Sequence, residues 1–191
     1  MASQTRTTPV TADNDASLPA DSTISWDPGA TAPEASCAIF GAGLIFTRYW
    51  KVNVTGWTLP TAATVTSVVV KVNRGYDGTT GQPTGHLYAL YYNGAYSGAQ
   101  QPGGDTWPPD VPEQITVTFS GAALTGITAS GINANGIGIG VSAEATDAVL
   151  AVGFIAGGED TPAVEVTVSY TESGGGGSVN AGAALLVAGF C

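Results

Sequence analysis

The stretch VTSVVVKVNR, residues 65–74, decides the fold class of this chain. Val68, Val70 and Val72 stand at every second position, and the side chains between them include the charged Lys71. Successive side chains of a β-strand point to opposite faces, so a period of two with one apolar face indicates a strand that packs on a core from one side. The stretch therefore predicts a half-buried β-strand.

Three further stretches repeat this alternation: QITVTF at 114–119, GIGIGV at 136–141 and AVEVTVSY at 163–170. Ahead of these three stretches, Asn93-Gly94 predicts a two-residue hairpin, because both turn positions favour positive φ. Helical periodicity is almost absent. About eight strands, with turns roughly every 8 to 12 residues, are typical of an all-β fold, and we predict an antiparallel two-sheet, jelly-roll-like β-sandwich.

Two other stretches complete this prediction. LIFTRYWKVNV, residues 44–54, is rich in aromatic and branched side chains and should form a strand. ALTGITASGIN, residues 123–133, is the one place where a short helical turn fits.

The 191 residues suit one domain with extended N- and C-terminal arms, and we divide the chain into four parts. Residues 1–20 are polar and predict an extended N-terminal arm. Residues 21–171 hold the predicted strands and form the β-sandwich domain. Residues 172–178 are a Gly-rich linker, and residues 179–191 are an apolar C-terminal strip.

The charge of the chain restricts its partners. The net charge is −10, and all five basic residues lie at or before Arg74. Phosphate backbones and anionic membranes attract clustered Lys and Arg, so we expect neither nucleic acid nor membrane as a partner. The N-terminus lacks the apolar core of a signal peptide, and no apolar run reaches the ~18 to 20 residues that span a bilayer. We therefore expect a soluble chain made in the cytoplasm.

The two cysteines give no sign of a disulfide framework or a metal cluster. Cys37 and Cys191 lie far apart in the sequence, and such frameworks need several cysteines at close spacing. Cys37 lies in the apolar stretch CAIFGAGLIF and is predicted to be a buried small hydrophobic residue.

The sequence offers no constellation for catalysis. His86 is the single histidine, and without a nearby nucleophile motif we interpret it as structural. HExxH, P-loop, CxxC and GxSxG motifs do not occur. Asp13, Asp15 and Asp21 could ligate calcium, but they lack the glycine and distal glutamate of an EF-hand loop, and a solvated acidic arm is the favoured interpretation. We predict a non-enzymatic chain without catalytic residues, cofactor or metal.

Aromatic residues near one hairpin are the best candidates for a contact surface. Tyr88, Tyr91, Tyr92 and Tyr96 lie on the predicted hairpin, and Trp107 lies in the loop GGDTWPPD that follows. Exposed aromatic rings stack on sugars or on another protein, although strand alternation must send some of these rings into the core. We single out Tyr88, Tyr92, Tyr96 and Trp107 as candidates for contact with a glycan or a protein.

The order of these segments resembles a recurring pattern of bacteriophage structural proteins, over about residues 24 to 171. In that pattern an aromatic strand leads to the segment Pro-x-x-Ala-Thr-Ile-x-x-Val-x-Val-x-Val-x-Arg. After it come, in order, a tyrosine-rich hairpin, a Trp-Pro loop, an Ile-Asn-x-x-Gly-x-Gly segment and a V-x-V-T-V-x-Y strand. The matching positions here are Pro60, Ala63, Thr64, Val65, Val68, Val70, Val72, Arg74, residues 87–98, Trp107-Pro108, 126–141 and 164–171.

The chain departs from that pattern at AALTG, residues 122–126, where members of the family often carry a Trp-Gly segment. This departure concerns one local loop. The resemblance implies a non-enzymatic virion component of the head decoration, neck or tail, and it implies no functional residues.

The last nineteen residues, SGGGGSVNAGAALLVAGFC, allow two interpretations. An assembly arm would add a strand to a neighbour's sheet or lie in its groove, and the linker would raise the local concentration of the strip. The polar N-terminal arm is a second candidate for a segment that contacts neighbouring copies. The competing interpretation is an added linker and peptide with Cys191 as a conjugation handle. The contact residues of an assembly arm would be Val179, Leu185, Leu186, Val187 and Phe190.

Together these observations predict an outer capsid decoration or minor capsid protein of a bacteriophage. Its partners would be the major capsid protein and neighbouring copies of itself, in a homo-oligomer on the outer surface of a virion made in the bacterial cytoplasm. A minor tail or neck protein is the near alternative. A carbohydrate-binding module, with a host-surface glycan as partner, is the alternative from another class.

Overall fold

The computed structural model describes residues 1–8, 10–15, 24–29, 34–39, 45–78, 81–100, 106–145, 151–157 and 162–172. Thirteen strands and two short helices lie in these ranges. The strands are β1 (Ala2–Arg6), β2 (Val10–Asn14), β3 (Asp27–Pro28), β4 (Ala35–Ile39), β5 (Ile45–Phe46), β6 (Trp50–Val54), β7 (Thr64–Tyr76), β8 (Thr84–Tyr92), β9 (Ala95–Gln100), β10 (Glu113–Ser120), β11 (Ile137–Ala145), β12 (Ala151–Ile155) and β13 (Val164–Thr171).

The strands form two antiparallel sheets that pack face to face, which confirms the predicted β-sandwich. The seven-stranded sheet has the order β1-β13-β7-β12-β4-β3, and β10 pairs with β7. Because β10 and β13 pair with the same residues of β7, β10 lies on the opposite side of β7 from β13. The six-stranded sheet has the order β2-β6-β11-β8-β9, and β5 pairs with the end of β11.

The core lies between the two sheets and follows the predicted alternation. Val68, Val70 and Val72 of β7 are fully buried. Ile137 and Ile139 of β11 are fully buried in the same cluster from the other sheet. All four tryptophans of the chain are also buried, with at most 3% of each side chain exposed. Side chains of this size bury much apolar area, so the sandwich has a substantial core of its own.

The N-terminal residues correct one prediction. Residues 1–20 were expected to form an extended arm, but β1 pairs with β13 and β2 pairs with β6, so the segment contributes one edge strand to each sheet. The sandwich therefore begins at Ala2 instead of residue 21. Asn14 holds the end of β2 against Trp26, because its side chain accepts from Trp26 N at 2.7 Å and donates to Trp26 O at 2.6 Å.

The predicted strand over residues 44–54 is interrupted in the structure. Its described part forms β5 and β6, and residues 47–49 between them belong to neither strand. The interruption is stabilised by Thr47, whose Oγ1 accepts from Ala143 N at 3.0 Å and whose carbonyl accepts from Ser142 Oγ at 2.6 Å. Thr47 is fully buried, and these bonds satisfy polar groups that would otherwise be costly to bury.

The helical content is small, as expected. A 3-10 helix covers Gly121–Leu124, and α1 covers Ala129–Asn135. Thr128 caps α1 by accepting from Gly131 N at 3.1 Å, and the helix ends at Gly136 with φ of 79°. A Cβ at Gly136 would also approach Val54 O to 2.5 Å, so glycine is required there. None of the described helices has the length and apolar character needed to cross a bilayer.

The β8–β9 hairpin confirms the predicted turn. Asn93 and Gly94 have φ of 49° and 80°, which are the positive values that a two-residue turn needs. The 3-10 helix lies beside the strands β9 and β10, and Ser97 Oγ of β9 donates to Ala123 O at 2.8 Å. This helix therefore bridges the two sheets at one side of the sandwich.

Cys37 is buried in β4, as predicted, with 1% of its side chain exposed. Burial raises the pKa of its thiol from the usual value near 9 to about 12. We expect a Cys191→Ser variant to resist an aromatic disulfide reagent at pH 8 while it is folded. At that pH the pKa difference alone lowers the thiolate fraction on the order of a thousandfold. The measurement is the labelling rate with and without urea, and rapid labelling of the folded chain would contradict the burial.

Candidate functional site

The structure separates the four aromatic residues that the sequence singled out. Tyr88 and Trp107 are fully buried, so neither contacts a glycan or a partner at the surface, which corrects that prediction. Tyr92 is partly buried against the core. Tyr96 is the only one of the four on the outer face of the six-stranded sheet. Strand alternation turns Tyr88 and Tyr92 inward, and Trp107 packs against Trp26 with ring centroids 6.1 Å apart.

Tyr96 belongs to a cluster that sequence analysis did not identify as a unit. We call Tyr49, Tyr91 and Tyr96 the outer tyrosine cluster. Tyr91 and Tyr96 are cross-strand partners in the hairpin, and their ring centroids are 5.2 Å apart. The centroids of Tyr49 and Tyr96 are 4.6 Å apart, and Tyr49 is 5% exposed. Tyr91 and Tyr96 remain partly exposed, so the cluster presents aromatic surface to solvent.

Small residues of the sheet make room for these rings. Gly140 of β11 lies in register with Ala89 of β8, and both face outward beneath the cluster. A Cβ at Gly140 would come within 2.5 Å of Tyr96 Cε1 and 3.0 Å of Tyr49 Cδ1. Residues 137–141 of this stretch therefore lie in a strand, as predicted, and the tyrosines cover it at Gly140.

Two N-terminal aspartates join the cluster. Tyr96 Oη donates to Asp15 Oδ2 at 3.1 Å. Lys51 Nζ lies 2.8 Å from Asp13 Oδ1 and 5.5 Å from the centroid of the Tyr91 ring. The face thus combines aromatic rings, two carboxylates and one ammonium group. Burial, and secondly the charge of Asp15, raise the pKa of Tyr96 far above its usual value and raise that of Tyr49 in the same direction.

These contacts bear on the calcium interpretation. Asp13 and Asp15 each have a protein partner in the cluster, and Asp21 lies outside the described residues. Within the described ranges, no group of three His, Cys, Asp or Glu side chains could hold a metal ion.

His86, the single histidine of the chain, has its backbone in strand β8.

We expect Tyr96→Phe to lower the stability at pH 7 by about 1 kcal/mol, because the hydrogen bond to a carboxylate is lost. The raised pKa of Tyr96 stabilises the fold below the unfolded value near pH 10, and this contribution is lost as pH rises further. The variant should therefore show a shallower loss of stability above pH 10. Urea unfolding from pH 7 to 11.5 measures both effects.

Tyr91→Phe is the matched control for this substitution, since it keeps the ring and leaves the bond to Asp15 intact. If the stability of the wild type and that of Tyr96→Phe fall equally steeply with pH above pH 10, the assignment of this pH dependence to Tyr96 is contradicted.

A second surface feature lies at one end of the seven-stranded sheet. It is a groove of about 600 Å³ between residues 61–66, the last three of which belong to β7, and the segment from the 3-10 helix to α1. We call it the uncharged groove, because no lining residue carries a charge. Its second wall consists of Gly121, Leu124, Thr125, Ile127, Thr128 and Ser130.

The remaining sequence candidates are Val179, Leu185, Leu186, Val187 and Phe190 of the C-terminal strip. All five lie outside the described residues, so their predicted role in partner contact stays a prediction.

No protein-family model matches the chain, and no curated protein matches its sequence. The class that the structure defines is an all-β protein with two packed antiparallel sheets. Among the residues that the structure describes, the candidate sites are the outer tyrosine cluster and the uncharged groove.

Proposed function

We propose that this chain is a non-enzymatic structural protein of a bacteriophage particle, namely an outer capsid decoration or minor capsid protein. It would stabilise the shell by bridging the major capsid protein and neighbouring copies of itself. The order of segments over residues 24–171 supports this proposal through its resemblance to phage structural proteins, and the two-sheet sandwich is compatible with such a role.

The observation that carries the proposal is the attachment of the C-terminal segment. The chain enters the linker directly after β13, which pairs with β7 on one side and with β1 on the other. A strand with partners on both sides resists being pulled from its sheet, because ladder bonds on two edges must break together. An arm that clasps a neighbour would therefore be anchored in the interior of the sheet.

Charge supports an outer location. The net charge is −10, and within the described residues Lys51 pairs with Asp13 and Lys71 pairs with Glu165, each at 2.8 Å. A surface that faces packaged DNA benefits from unpaired Lys and Arg, whereas an acidic surface is repelled by phosphate.

The copy number of the chain in purified particles tests the proposal. Quantitative mass spectrometry should find a number comparable to that of the major shell protein. A handful of copies would instead support the minor tail or neck alternative. Absence from particles, when the chain is abundant in the infected-cell lysate, would overturn the virion role.

The outer tyrosine cluster favours one second candidate, a carbohydrate-binding module. Tyr91 and Tyr96 are partly exposed beside Asp13, which is 63% exposed, and sugar rings stack on aromatic faces while carboxylates accept from hydroxyls. A glycan array with the wild type and Tyr91→Ala tests this function. Binding that Tyr91→Ala abolishes would support it, and a wild type that binds no glycan would exclude the ligands on the array.

A further inference from the structure

We propose that the uncharged groove binds the C-terminal strip of the same chain, residues 179–191, in the free subunit. This inference deepens the proposed function, since it names the surface that the strip would use, and it rests on that function only for the exchange of strips between neighbours. Four observations carry the docking itself: an open strand edge, a buried hydroxyl group that no described residue pairs, the lack of charge on the groove's lining residues, and the reach of the linker.

The open edge arises because β10 is shorter than β7. β10 ends at Ser120, which lies opposite Ser67 of β7. β7 continues for three residues beyond this point, Thr64–Thr66, which lie along β13 on the other side. Among the strands that the structure describes, none occupies the β10 side of these three residues. The chain turns there into the 3-10 helix, and the resulting gap is the uncharged groove. An extended segment can add to such an edge.

One polar atom at this edge is buried and has no hydrogen-bond partner in the part of the chain that the structure describes. Thr66 Oγ1 is buried, and among the described residues it has no hydrogen-bond partner. Buried hydroxyl groups are nearly always paired, because burying one without a hydrogen bond loses its bonds to water and gains none in return. A strand in the groove would bring backbone amide and carbonyl groups within reach of this hydroxyl.

The chemistry of the groove fits the strip. The wall residues offer hydroxyl groups, as in Thr125 and Thr128, and apolar side chains, as in Leu124 and Ile127. The strip VNAGAALLVAGFC contains no charged side chain. A charged segment would lose hydration in this groove without gaining a countercharge, whereas an uncharged one loses little.

The linker is long enough for the strip to reach its own groove. Thr171, at the end of β13, is the register partner of Thr64, which lines the groove. The open edge lies across β7 from β13, about 10 Å away by two strand spacings. The six residues 173–178 span at most about 20 Å when extended.

A short tether of this kind gives an effective concentration on the order of millimolar. A neighbour's strip in dilute solution cannot match that concentration, so the free subunit should bind its own strip. Where copies stand side by side on a shell, the same contact can form between them by exchange of an identical element. The strip would then occupy its own groove in the free subunit and a neighbour's groove in the assembly.

A nitroxide label on Cys191 of the full chain tests the docking. Cys37 is buried and stays unlabelled, so the label reports the end of the strip alone. We expect paramagnetic broadening of the backbone amides of residues 61–66 and 121–130 in the isotope-labelled chain. The double variant Thr64→Glu/Thr125→Glu alters two exposed wall residues and should reduce this broadening at least tenfold. Thr116→Glu, at an exposed position of β10 outside the groove, is the matched control and should leave it unchanged.

A mixed sample identifies the source of the strip. It combines isotope-labelled chain without nitroxide and unlabelled chain with nitroxide at Cys191. Weak or absent broadening in this sample, with strong broadening in the singly prepared chain, supports docking on the same chain. Equal broadening in both samples would assign the groove to a neighbour's strip and overturn the inference. Broadening that misses residues 61–66 and 121–130 would also overturn it. Neither result depends on particles, so the copy-number measurement tests the proposed function separately.

Discussion

Deletion of residues 1–15 is expected to abolish cooperative folding of the domain. The deletion removes β1 and β2, and with them the ladder partners of β13 and β6. It also removes Val10 and Ala12, which pack against the core, and the two hydrogen bonds between Asn14 and Trp26. We expect a loss of about 5 kcal/mol or more, which is comparable to the total stability of many domains.

The matched control is deletion of residues 173–191, which removes more residues but no described strand. The sandwich supplies its own core, so this variant should still unfold cooperatively, at a temperature only slightly below that of the full chain, because only the docked strip is lost. Its binding to shells or to neighbouring copies should fall sharply if the strip is an assembly arm, and unchanged binding would favour the interpretation as an added tag.

Thermal unfolding followed by circular dichroism, with gel filtration for aggregation, measures both deletions. A variant without residues 1–15 that unfolds cooperatively near the wild-type temperature would contradict the structure, because β1 and β2 would then be dispensable.

Gly138→Ala is expected to cost about 3 kcal/mol, at the upper end of the range for overpacking substitutions. Gly138 lies in β11, the central strand of the six-stranded sheet, between Asn53 of β6 and Tyr91 of β8. A Cβ at this position would overlap the carbonyl oxygen of Val52. The overlap involves the backbone of a paired strand, so relief requires β6 and β11 to separate.

Gly94→Ala is the control for this substitution. Gly94 lies in the hairpin turn with φ of 80°, and nothing lies within 4 Å of an added Cβ. The strain of positive φ alone should cost about 1 kcal/mol. Urea unfolding of both variants should therefore rank Gly138→Ala as the more damaging one by about 2 kcal/mol. Equal losses would show that the clash at Val52 relaxes without cost.

The fold class could be predicted because its signals are local. The alternation in β7, β10, β11 and β13 repeats over six or more residues, and each of these strands buries the predicted face. The Asn93-Gly94 turn depends on the φ preferences of two adjacent residues, and it forms as predicted. The edge strands β1 and β2 gave no such signal, because they bury little and carry polar residues on both faces.

The tyrosine hairpin shows why the candidate site could be predicted only in part. Alternation places Tyr88 and Tyr92 on one face of β8 and Tyr91 on the other. Both faces of this strand carry apolar or aromatic residues, so the sequence does not reveal which of them faces the core. The burial of Tyr88 and the exposure of Tyr91 depend on the position of β8 beside β11.

The sequence by itself determined the sandwich class, the inward valines of β7 and the turn of the hairpin, since residues close in the chain specify each of them. Only the tertiary structure decided the burial of Trp107, which packs against Trp26, and the union of Tyr49, Tyr91 and Tyr96. It also decided the uncharged groove, whose walls come from residues 61–66 and 121–130. These features join segments that are distant in sequence, and the packing of the two sheets, which no short stretch encodes, brings them together.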